Sequence, residues 1–251
     1  MIKPGFSEAT SNLIARMARA NLSQEDFDFE RAISALREAY AVADARFPET
    51  GIVIGDPDCD DLWDLTDEHG GFNPSSVASG ILGMLRVDYF SAQAVEEAWQ
   101  AWMAGPARAA RAAFVYPTQF AIDYDFDMFV LCNEHWQQTG MMTVSERDAL
   151  DLFECLLKAR EAGLGWLAEV NDELYLIPAP KVALDDMSEL HSTSGPAITY
   201  HSGREEYLLH GAAFIPELWK KIVEKKITLE EMSAIRDEYS LAVAMRMVAE
   251  G

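Results

Sequence analysis

The chain predicts an α+β fold: a mainly helical N-terminal body, a C-terminal antiparallel β meander, and closing helices. Two observations carry this. Apolar residues recur at helical intervals through the first 162 residues, and from residue 163 the period shortens to strands separated by turn residues. A third concerns extent. No segment is rich enough in Pro, Gly or Ser to act as a linker, so residues 1–162 and 163–251 are expected to form one compact domain.

Leu13, Ile14, Met17 and Ala18 place one apolar face on a helix over residues 8–22. Phe29, Ile33, Leu36, Tyr40 and Ala43 do the same for a second helix, which is expected to start at a Ser23 cap and run to about Arg46. Pro48 and Gly51 stop it, and the run from Gly51 to Gly55 reads as a short buried strand. A helix entered at Asp56 with Pro57 in its first turn follows, then a loop over Gly70–Ser76 and helices near 75–86 and 91–104. Two longer helices are expected over 118–138 and 145–162, the second closed by Gly163.

The second part reads as hairpins. Trp166–Val170 and Glu173–Ile177 flank an Asn171-Asp172 turn. Pro178 and Pro180 confine the next segment to an edge or a connection. Residues 196–201 and 204–210 form a hairpin about a two-residue Ser202-Gly203 turn. That register sets Ile198 opposite Tyr207, with Tyr200 and Leu209 on the same packing face. Glu206, His210 and His201 then share the opposite, polar face. With His191 beside it, this is the candidate binding surface. Thr228 and Glu231 supply a capping box for one of the closing helices.

Charge narrows function more than any motif does. Forty-two acids against 20 bases give a net charge of −22, and both halves share it: 21 acids and 9 bases in residues 1–130, 21 and 11 beyond. Such an exterior repels phosphate backbones and anionic lipid, so neither direct nucleic-acid binding nor membrane association is expected. The one basic cluster, Lys220, Lys221, Lys225 and Lys226, reads as a solvated helix face. Three scattered cysteines, Cys59, Cys132 and Cys155, suit a reducing compartment. The opening residues carry no apolar export core, and no apolar run is long enough to span a bilayer. The expected localisation is cytoplasmic.

No catalytic constellation stands out. The acids from Asp56 to Asp67 mimic a calcium loop but put Asp61 where a glycine is needed and Asp67 where a bidentate Glu belongs. Asp123, Asp125 and Asp127 read as a solvated rim, and the Ser192–Ser194 hydroxyls as a turn. Five histidines are present, three of them within twenty residues. On the expected hairpin, His201 and His210 stand roughly 20 Å apart, too far to share one ion. His191 can join either but not both. No metal and no cofactor is therefore expected.

The segment Leu190-His191, Gly195-Pro196-Ala197, Tyr200 and Gly203, followed by Tyr207, His210-Gly211 and Ile215-Pro216, resembles the bacterial domain-of-unknown-function family 6745. It also resembles a short β-hairpin repeat of phage and bacterial proteins. The resemblance covers residues 160–235, and more loosely 25–65. Ser194 departs from it where the family carries an acid, and Ala244-Met245 where the family carries a pair of arginines. It implies a helical body with a β meander and assigns no catalytic residue.

The functional expectation is macromolecular interaction: an acidic chain meeting a protein partner with a basic surface, without catalysis. The alternative is an enzyme whose site lies where the helical body meets the meander. His191 and an acid from Asp56–Asp64, or Glu206, would then be the acid–base set. A carboxylate in hydrogen-bond reach of His191 is the feature that would favour it.

Overall fold

The computed structural model describes residues 7–21, 25–53, 133–134, 136–137, 139–140, 144–170, 173–187 and 189–249. The expectations for residues 54–132, including the acid-rich stretch at Asp56, the Gly70 loop, Cys59, His69 and the Asp123–Asp127 rim, lie outside these, as do Ser23 and His135. Among the described residues the fold is α+β, with six helices and two sheets.

Helix α1 spans Glu8–Asn21 and α2 spans Phe29–Val42. The second starts later than its apolar spacing suggested. Its cap is Asp28, whose carboxylate accepts from the Arg31 amide at 3.1 Å, and the Asp28 amide is itself tied to Ala162. Strand β1, Thr50–Val53, follows where a strand was expected, but it is not buried: Gly51 is exposed and Ile52 and Val53 are half-buried. Helix α3, Val144–Glu161, is held to α1 by Arg16, which donates to both Glu154 and Glu161 at 2.9–3.1 Å. It ends at Gly163, whose φ of +88° lies in the left-handed region. A Cβ there would also meet the Phe27 backbone at 3.2 Å, so this position favours glycine twice over.

Strands β2, Leu164–Val170, and β3, Glu173–Pro178, form the expected hairpin, with Val170 paired to Glu173. Strand β1 then adds parallel to β3, which periodicity alone did not indicate. The resulting order is β1-β3-β2. One face of this sheet packs on α2 and α3 through Ile33, Leu36, Leu156, Leu164, Leu167, Leu174 and Leu176. The core thus draws on both sides of residue 162. At its rim the buried Tyr40 hydroxyl donates to Glu169 at 2.7 Å. Burial, and then that carboxylate, push the phenol well above its ordinary range.

The second sheet contains β4, Lys181–Val182; β5, Ile198–Thr199; β6, Glu205–Leu209; and β7, Ala212–Phe214, paired antiparallel in that order. As the prolines implied, β4 is an edge strand. The β5–β6 register corrects the expected one. Ile198 pairs with Glu206, not Tyr207, and the Tyr200 amide donates to Arg204. The loop therefore holds three residues, His201 to Gly203. The Gly203 amide turns back onto Tyr200, and Gly203 itself has a φ of +86°. Shifting a register by one residue exchanges faces. Ile198, Tyr200 and Leu208 now belong to one apolar cluster, with Val182 and Leu190. Leu209 belongs to another on the far side of the sheet.

That far side is covered by α4, Pro216–Val223; α5, Leu229–Ala234; and α6, Glu238–Ala249. The Thr228–Glu231 capping box is present in both directions, at 3.2 and 3.0 Å. Two of the clustered lysines pair with neighbouring acids, Lys221 with Glu231 and Lys226 with Glu224. All four lysines are exposed.

Candidate functional site: an aspartate and two histidines at a hairpin turn

Strands β6 and β7 are joined by His210 and Gly211 alone, since Leu209 pairs with Ala212. Both turn residues have positive φ, +46° and +78°. A two-residue turn of this kind follows the twist of the strands it connects, and its first position normally holds Asn, Asp or Gly. Here a histidine occupies it, and its backbone is fastened on both sides. The His210 amide donates to His191 Nδ1 at 3.1 Å, and the Tyr239 hydroxyl of α6 donates to the His210 carbonyl at 2.5 Å. The Gly211 amide donates to Leu190.

The imidazole of His210 reaches Asp185, with Nδ1 and Oδ2 2.5 Å apart. Asp185 stands in its own small turn, where Oδ1 accepts from the amides of Met187 and Glu189 at 2.9 Å each. His191 is positioned by its amide, which donates to Ala183, and its ring lies 4.1 Å from that of His210 between centroids. One ligand-capable atom from each of Asp185, His191 and His210 lies within 4.8 Å of the other two. Beside them the Trp219 indole of α4 donates to the Ser192 carbonyl and packs on Tyr207, closing one flank. Only 14% of the His210 side chain and 10% of that of Asp185 remain exposed.

The hydrogen bonds set the protonation states. Burial alone would raise the Asp185 carboxyl, but the Glu189 amide, the His210 ring and the Met187 amide outweigh it and hold it below the ordinary carboxylate range. An ionised Asp185 makes His210 Nδ1 the donor of this bond. His191 is the reverse, because Nδ1 accepts and the proton sits on Nε2. Burial, and then the neighbouring His210, push the His191 imidazole below its ordinary value, which favours this neutral form. Two imidazoles thus stand side by side, one oriented by a carboxylate and the other by a backbone amide. Such a set can relay a proton, or hold a cation once protons are given up.

Of the four residues expected to form a binding surface, the structure brings together His191 and His210 and separates the others. Glu206 shares the Tyr200 face, where its carboxylate meets the Tyr200 hydroxyl at 3.0 Å and Arg204 at 3.6 Å. His201 sits exposed at the β5–β6 loop, edge-on to Phe27. His210 is on a turn, not on a strand face. Among the described residues, the carboxylate that completes the cluster is not Glu206. It is Asp185, which periodicity gave no reason to single out. The Asp185-Asp186 pair followed by a turn was its one visible signal. The cluster also lies within the meander and its closing helices.

The chain matches no family model, no curated protein and no solved structure.

Proposed function

We propose that this chain acts by macromolecular interaction, offering a preformed acidic exterior to a protein partner with a basic surface. One observation carries the reading. Among the described residues Glu134 is the one acidic side chain that is buried, and it accepts from the Ser7 amide and hydroxyl at 2.7–3.2 Å. Glu30, Glu38, Glu49, Glu205, Glu217 and Glu230 are all exposed, so the acidic charge of the described residues stands largely on the outside. No helix among the described residues is long and apolar enough to cross a membrane.

An acidic exterior of this kind accelerates encounter with a basic partner and makes association depend on salt. Low-salt affinity capture from a bacterial lysate, followed by stepwise elution with sodium chloride, tests it. The expected result is a basic protein captured reproducibly and released at moderate salt. A partner held equally well at low and high salt would contradict the reading.

A further inference from the structure

From the convergence of Asp185, His191 and His210 we infer that this site binds a divalent transition-metal ion of the zinc class. The ligand types point to that class. Two imidazoles with one carboxylate suit zinc, cobalt or nickel, whereas magnesium and calcium prefer all-oxygen sites. The three residues come from three chain segments, each fixed by backbone hydrogen bonds: Asp185 through Glu189, His191 through Ala183, and His210 through His191 and Tyr239. A site held by its backbone loses little side-chain freedom on loading. The partial exposure of His210 and Asp185 leaves a side open for the ion and for water as a further ligand.

Ligands of a tetrahedral zinc stand about 3.3 Å apart when each is ~2.0–2.1 Å from the metal. The three atoms here lie within 4.8 Å, so loading draws them together by about an ångström, while the close Asp185–His210 pair opens. Two exchanges accompany this. The His210 proton moves from Nδ1 to Nε2 by way of solvent as Nδ1 takes the cation, and His191 Nδ1 releases the His210 amide for the same purpose. No electron is transferred. The acidic exterior favours entry of a cation, and Glu189 supplies negative potential near His191, opposed by Arg246.

The test is calorimetric titration of the full chain with zinc chloride. One ion per chain is expected, with no displacement by millimolar magnesium. His191→Gln, His210→Asn and Asp185→Asn should each weaken binding at least ~10-fold. Asn suits the first position of the β6–β7 turn, which keeps His210→Asn folded. Should any variant unfold, cobalt added to the unaltered chain decides the matter. Visible absorption with paramagnetic shifts at the His191 and His210 rings supports the site, and their absence overturns it. No saturable zinc binding, or zinc binding unchanged in both histidine variants, overturns it too. Neither result would touch the salt-dependent capture of a basic partner.

Discussion

Where α2 and α3 meet the first sheet, the buried side chains are largely hydrocarbon, and the polar ones among them are few: Arg160 of α3, which donates to the Leu164 carbonyl at 3.1 Å, and Tyr40, whose hydroxyl donates to Glu169. The second sheet is built differently. Apolar clusters cover both of its faces, and at its β6–β7 end a carboxylate and two imidazoles stand half-buried beside them. The first arrangement draws its strength from packing, which any side chain of the right size and shape sustains. The second spends burial on groups that need specific partners, and an unpartnered buried polar group costs stability. A fold that keeps such a cluster has a scaffold in one region and a chemically differentiated place in the other.

The largest expected effect falls on the scaffold. Leu156→Ala removes a fully buried side chain from the α2–α3 core and should cost about 3 kcal/mol in chemical denaturation. A loss near zero would mean that this region is not the packed one. Gly163→Ala puts a Cβ against the Phe27 backbone at a left-handed φ, and should cost about 1–2 kcal/mol. His210→Asn sharpens the contrast. The turn tolerates Asn, so its stability loss should stay within about 1 kcal/mol, the size of one hydrogen bond to Asp185, while the chemistry of the site is lost. A collapse of the whole fold in that variant would show the cluster to be structural.

The smallest effect concerns pH. Lys221, with the Thr228 amide, holds the Glu231 carboxyl at about 2, against an ordinary 4.5. A depressed carboxyl contributes stability above its unfolded value and loses it as pH falls through the folded one. The Lys221–Glu231 contribution should therefore be complete above roughly pH 4.5 and fade toward pH 2. A carbon-detected NMR titration should place the Glu231 midpoint well below 4.5, and Lys221→Ala should raise it. A midpoint unchanged by that substitution would contradict the pairing.

Local signals carried much of this architecture. The β2–β3 hairpin, the edge strand after two prolines, the closing Gly163 and the Thr228 capping box each rest on residues whose backbone preference is strong and short-range. What escaped depends on partners distant in sequence or on an atypical residue. Nothing local announces that β1 will lie parallel to β3 across more than a hundred residues. A two-residue turn at Ser202-Gly203 and a three-residue loop with Gly203 at its end use the same glycine, so the register was one residue out. His210 hid the last hairpin, because its turn position usually holds Asn or Asp. Without that turn, the spacing places His210 on a strand. Asp185 lies 25 residues from its histidine partner, and pairing over that distance leaves no spacing to read.

The arrangement at the β6–β7 turn is most directly tested by nitrogen-15 NMR of the histidine rings in the metal-free chain. The account predicts a neutral His191 protonated at Nε2 and a His210 protonated at Nδ1, with a strongly deshielded proton shared with Asp185. Rapidly averaging tautomers on both rings, or a His210 protonated at Nε2 alone, would contradict it.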